Sequence, residues 1–152
     1  MSHTVLLVDD EDRLLNGLVR ALRGQPYTVY TAKSGEEAKW ILKSRAIDVV
    51  VSDEKMPGLS GTELLAWVAE NRPEVVRIVL TGHATVKTAI QAINRSAVHR
   101  FFTKPCNEFE LAVVLHKALE EKDRRRREHE LLQLATAPSL AATVTAPNGR
   151  KA

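Results

Sequence analysis

The sequence predicts an α/β domain built on a doubly wound parallel sheet, and three observations carry that reading. Short apolar, β-branched runs alternate with amphipathic stretches at helical spacing along most of the chain. Polar residues and turn signals close each run. The third run, Ile47 to Ser52, is apolar enough to be buried on both faces, as strands inside parallel sheets are. It leads into Asp53, with Met56-Pro57-Gly58 just beyond. Chemistry in open α/β sheets lies past the carboxyl ends of the strands, so Asp53 is the candidate reactive residue.

Taken in order, Thr4 to Val8 reads as the first strand and ends at Asp9-Asp10. Leu14, Leu15, Leu18, Val19 and Leu22 then recur at helical spacing until Gly24 and Pro26 stop the helix. Tyr27 to Thr31 is the second strand. Ser34 and Glu37 fit a capping box for helix 2, whose buried face is Ala38, Ile41 and Leu42. After the third strand, Ser60 and Glu63 form a second capping box that opens helix 3 on Leu64, Leu65 and Val68, and Asn71-Arg72-Pro73 ends it. Val75 to Leu80 is the fourth strand, ending at Thr81-Gly82-His83. Val86, Ala89, Ile90 and Ile93 mark helix 4, and Val98 to Phe102 is the fifth strand, ending at Thr103-Lys104-Pro105. Asn107 and Glu110 can cap helix 5, which runs on good helix formers to about Leu134. This succession predicts a flavodoxin-like (βα)5 sheet of strand order 2-1-3-4-5. The expected organisation is a domain over residues 1–120, an extension of the last helix over 121–134 and a disordered tail over 135–152, rich in Ala, Thr, Pro and Ser.

Composition narrows the function classes. No run of 18 apolar residues exists, which argues against a membrane span, and the early acidic cluster Asp9-Asp10-Glu11-Asp12 argues against a secretory signal. The lone Cys106 suits a reducing cytoplasm and reads as a small packing residue. Residues 1–119 carry 15 Lys+Arg against 14 Asp+Glu, so the domain is nearly neutral and the basic excess lies further on. The run Lys122 to Arg127 has acids around it and no interleaved aromatics, the pattern of a solvated helix face rather than a nucleic-acid patch. Trp40 and Trp67 read as packing at the core edge.

The strand order places Asp9, Asp10, Asp53, Thr81 and Lys104 at the carboxyl ends of adjacent strands 1, 3, 4 and 5. Three carboxylates in one patch repel each other, and a hard divalent cation such as Mg²⁺ or Mn²⁺ relieves this by taking oxygen ligands. Lys104 suits a phosphoryl oxygen and the Thr81 hydroxyl can donate to another. The set suits phosphoryl transfer to an aspartate, where catalysis is mostly positioning and charge neutralisation.

Val8-Asp9-Asp10, Asp53 with Met56-Pro57-Gly58, Leu80-Thr81-Gly82-His83-Ala84 and Phe102-Thr103-Lys104-Pro105 together resemble the receiver domain of two-component response regulators, over roughly residues 4–120. The resemblance implies that Asp53 accepts a phosphoryl group from a sensor histidine kinase or a histidine phosphotransfer protein. It implies that Asp10, Asp53 and the Lys55 carbonyl ligate the metal, with Asp9 acting through water. Thr81 and Phe101 would be the switch pair and Lys104 the phosphate-sensing cation. The surface of helix 4, strand 5 and helix 5 would bind a downstream protein partner, and homodimers through that surface are common in the family. Phe101 has no hydroxyl where many relatives carry Tyr, so a readout through that hydroxyl is not expected. Lys55 and His83 flank the site and are expected to tune phosphoryl lifetime. Arg13, Leu14 and the Pro105-Cys106 turn form the expected kinase-docking rim.

Other readings are distinguishable. As mere strand-end caps, the aspartates would not need Thr81 and Lys104 in register with them. A phosphohydrolase with an aspartyl-phosphate usually has a second Asp two residues after the nucleophile, where this chain has Lys55; turnover of outside substrates is therefore not expected. A pseudo-receiver would work without phosphate, and the complete acidic set argues against it. The sequence reads as a regulator with no effector domain behind it, or as a receiver fragment of a longer one.

Overall fold

The computed structural model describes residues 3–81, 100–103 and 108–136. The chain divides into two compact units, Met1–Leu119 and Glu120–Ala152. In the first, β1 (His3–Val8), β2 (Tyr27–Ala32), β3 (Val49–Asp53) and β4 (Val76–Thr81) alternate with α1 (Asp12–Leu22), α2 (Gly35–Ser44) and α3 (Gly61–Asn71). These strands pair in parallel in the order β2-β1-β3-β4, the ordered core of a flavodoxin-like sheet, and β5 (Arg100–Thr103) lies beside β4. A C-terminal helix spans Glu108–Thr136. The expected helix 4, His83, Lys104 to Asn107 and the expected tail beyond Thr136 lie outside the described residues. Among the described residues no helix is long and apolar enough to cross a membrane.

Strand alternation explains why the sheet is wound on both sides. Leu6, Val8, Val50 and Val79 face one core, completed by Ala38, Ile41 and Leu42 of α2 and Leu64, Leu65 and Val68 of α3. Val5, Leu7, Val49, Val51, Ile78 and Leu80 face the other, completed by Leu15 and Leu22 of α1 and by Leu111, Leu115, Ala118 and Leu119. All of β3 is buried, as its unbroken apolar run requires.

Most strand ends differ from expectation by a residue or two, and those of β3 and β4 have a visible cause. Ile47 is buried but precedes β3, because the Asp48 carboxylate accepts from Thr4 N at 2.8 Å and leaves the ladder to begin at Val49. At its other end β3 includes Asp53, which pairs with Leu80. In β4, Val75 N donates to Arg72 O in a turn, so the strand begins at Val76. Arg77 is buried near the start of β4 and donates to the carbonyls of Pro73 and Val75; burial pushes its pKa below the usual guanidinium range.

The helix starts follow the sequence with one change. Ser34 Oγ accepts from Glu37 N, yet the Glu37 carboxylate accepts from Lys33 N at 2.7 Å and not from the N-cap itself. The box at α3 is complete in both directions. Trp40 is the clear correction: it is 68% exposed, not packed at the core edge. Trp67 is partly buried against the core, with the ammonium groups of Lys39 and Lys43 at 5.4 and 5.8 Å from its ring centroid.

Candidate functional site

Register alone brings the acids together. Val8 pairs with Ser52, so the residues that follow them, Asp9 and Asp53, leave adjacent strands at the same level. One carboxylate oxygen from each of Asp9, Asp10 and Asp53 lies within 4.8 Å of the others. Asp9 and Asp53 are buried and Asp10 is exposed, so the cluster is rooted in the sheet and open on one side.

Each carboxylate is positioned by its element. Asp9 N donates to Ala32 O at 3.1 Å, tying the end of β1 to the end of β2. Asp9 Oδ1 accepts from Glu11 N at 3.0 Å, which fixes the carboxylate as α1 begins. The Asp53 carbonyl accepts from the buried Ser52 hydroxyl at 2.9 Å. On the far side, α3 closes upon it. A Cβ at Gly61 would meet the Asp53 carbonyl, its carbon at 2.9 Å, so only glycine allows the helix to start this close. The intervening loop is anchored by buried Met56 and turns through Gly58 at φ +79°.

The N-terminus of α3 has every early donor satisfied. Gly61 N donates to Glu54 O, Thr62 N to Glu54 Oε1, Glu63 N to Ser60 Oγ and Leu64 N to Ser60 O. Thr62 Oγ1 adds a 2.6 Å hydrogen bond to Glu54 Oε1. Neither Glu54 nor Thr62 was assigned a role from sequence. An acid directly after Asp53 and a threonine at the second helical position were the available signals.

The remaining candidates are placed as follows. Lys55 is exposed in the loop after Asp53. Thr81 ends β4, one residue past the Asp53 partner Leu80, and pairs with Thr103. Phe101 lies in β5 opposite Val79. Arg13 is exposed in the first turn of α1 and Leu14 is half-buried behind it. Asp12, in the same turn, pairs with Lys33 at 2.7 Å across the surface, and that contact raises the Lys33 pKa. His83, Lys104, Pro105 and Cys106 lie outside the described residues.

Three oxygen donors of this kind, two of them buried, fit a hard divalent cation. A family model for the response regulator receiver domain matches residues 5–116. The chain belongs to that family. It is similar to the hydrogenase transcriptional regulatory protein HoxA of Cupriavidus necator, 35% identical over 88% of this chain and 28% of that protein. It is also similar to the sensor kinase CckA of Brucella abortus, 38% identical over 80% of this chain and 13% of that protein. Among solved structures, a signal receiver domain of an HD domain-containing protein from Pseudomonas fluorescens Pf-5 matches with TM-score 0.78 and 34% identity, over 82% of this chain and 99% of that one. The chain therefore spans less than a third of the length of these curated relatives. As a receiver domain of the two-component type it is a signalling module.

Proposed function

We propose that this receiver takes a phosphoryl group onto Asp53 from a histidine kinase or a histidine phosphotransfer protein, and that the new charge changes partner binding. The observation that carries the reading is the cluster of Asp9, Asp10 and Asp53 at the carboxyl ends of adjacent strands β1 and β3. Asp53 is the nucleophile because it alone of the three sits at the end of a fully buried strand, with its backbone held from both sides. Asp10, Asp53 and the Lys55 carbonyl would hold Mg²⁺ or Mn²⁺, with Asp9 acting through water. When bound, that ion supplies charge neutralisation for the crowded carboxylates and for the incoming phosphoryl oxygens.

The chain's own residues do the rest. Asp53 attacks phosphorus, and the bond from phosphorus to the donor breaks as the acyl phosphate forms. Lys104 balances the added charge and the Thr81 hydroxyl donates to a phosphoryl oxygen. The modification places roughly −2 on a site already acidic, so a two-state element is needed to report it. Thr81 moving towards the phosphoryl group leaves room for the Phe101 ring, and the surface of helix 4, strand 5 and helix 5 repacks. That surface is the proposed site for a downstream partner or a homodimer. Lys55 and His83 set water access and so the lifetime of the acyl phosphate. Asp53 turns over only its own modification, since Lys55 stands where a hydrolase places its general acid.

Intact-protein mass after incubation with acetyl phosphate and Mg²⁺, beside Asp53→Asn, tests the reading. One added phosphoryl group is expected, absent in the variant and after chelation. No addition, with phosphoramidate as well, would overturn it and favour a phosphate-independent pseudo-receiver. The length of the relatives favours a second reading of the output, in which the chain is the receiver part of a longer regulator and acts on an attached domain.

A further inference from the structure

Glu54 follows the candidate phosphoacceptor directly, and its carbonyl and its carboxylate both bond to the start of α3. Its carbonyl accepts from Gly61 N at 3.0 Å, and its Oε1 accepts from both Thr62 N at 2.8 Å and Thr62 Oγ1 at 2.6 Å. Three hydrogen bonds therefore fasten one residue to the first turn of α3, seven and eight positions along the chain. These bonds close the base of the loop that presents Lys55. They also turn a fourth carboxylate away: the cluster that could hold a cation contains Asp9, Asp10 and Asp53, with Glu54 outside it.

We infer that Glu54 and Thr62 form a positioning pair, a side-chain clasp that sets the peptide after Asp53, and with it the Lys55 carbonyl, for the divalent ion. The inference rests on the proposed Mg²⁺-dependent phosphorylation of Asp53. Its physical basis is preorganisation. The loop from Glu54 to Ser60 has one buried side-chain anchor, Met56, and one left-handed turn at Gly58, and neither fixes the peptide planes next to Asp53. The Glu54 carbonyl is held by Gly61 N, and the clasp holds the Glu54 side chain beside it, so the residue next to Asp53 is fixed at both backbone and side chain. Without the clasp the loop must be ordered by the ion itself, and binding weakens by that ordering cost. Neither residue touches the reacting atoms.

Two substitutions separate position from charge. Thr62→Val keeps the backbone N–H and the charge but removes the hydroxyl. Glu54→Gln keeps a carbonyl-type acceptor for both Thr62 donors while removing the charge, and Glu54→Ala removes acceptor and charge together. Mg²⁺ affinity is measured by titration calorimetry on each full-length chain, well below its unfolding midpoint, with Thr62→Ser as the conservative rescue. Loss of one hydrogen bond predicts a Kd raised roughly 2- to 10-fold in Thr62→Val, more in Glu54→Ala, and near wild type in Glu54→Gln and Thr62→Ser. Acetyl phosphate labelling should slow in the same order at subsaturating Mg²⁺ and recover at saturating Mg²⁺. If Glu54→Gln and Glu54→Ala shift alike while Thr62→Val is silent, charge and not the clasp is responsible, and the inference fails. A lowered unfolding midpoint with unchanged Mg²⁺ affinity would make the pair a helix cap and nothing more. Failure of the wild-type chain to bind Mg²⁺ or take up phosphate would instead overturn the phosphorylation reading itself.

Discussion

Two helices start beside the acid cluster, and they are held by different means. α1 follows Asp9-Asp10 after a short connection; its N-cap Glu11 makes no side-chain capping bond, Asp9 Oδ1 accepts from Glu11 N, and Asp12 in the first turn pairs with Lys33 across the exposed surface. α3 follows Asp53 after a longer loop and has a complete capping box, the Glu54 clasp and a backbone approach that excludes any Cβ at Gly61. The difference is one of chain length. A short connection leaves the backbone few conformations, so β1 and α1 place Asp9 and Asp10 almost by themselves. A longer loop has more conformational freedom to lose, and its ends must be tied by specific hydrogen bonds. The Asp53 side of the cluster is thus fastened and the Asp9-Asp10 side is merely short.

Substitutions at the two helix starts test this contrast. Gly61→Ala should have the largest effect, about 3 kcal/mol or more of lost stability by denaturant unfolding, because the new methyl meets backbone that cannot move aside. A loss below about 1 kcal/mol would show that α3 can retreat from Asp53. Ser60→Ala should cost about 1 kcal/mol, the usual value of an N-cap hydroxyl. At Glu63 the readout is pH. The Ser60 N–H donating to its carboxylate holds its pKa below the ordinary glutamate value of 4.5. A depressed carboxylate stabilises the fold above that value, and the contribution fades as pH falls through the folded-state pKa. In Glu63→Gln, thermal midpoints should therefore converge with wild type in acid and separate near neutrality. Smallest of all, Glu11→Ala at the start of α1 should change stability by less than about 0.5 kcal/mol. A larger loss there would erase the distinction between the two starts.

How far the sequence reaches depends on the kind of contact. Strand ends are legible because β-branched runs stop at carboxylates, and parallel order follows from alternation with helices; hence the sequence alone groups Asp9, Asp10 and Asp53. Trp40 was misplaced although the periodicity pointed the right way. Ala38, Ile41 and Leu42 line the buried face, and a residue two positions from Ala38 turns about 200° away from it. The Glu54–Thr62 contact was not legible. It joins the two ends of the loop between Asp53 and α3, eight residues apart, and no local pattern encodes that meeting.

The place of β1 between β2 and β3 has a consequence for how the site comes into being during synthesis. β1 emerges first but pairs with β2 on one side and β3 on the other, and its partners in β3 lie 44 positions later in the chain. Contacts this distant form after local ones, since the closure of the intervening segment must be met before they gain anything. Asp9 and Asp10 therefore leave the ribosome as ordinary solvated acids and become a cluster only when the third strand docks. Capture of a divalent ion by the cluster would then mark the moment when a nascent receiver has acquired its native centre.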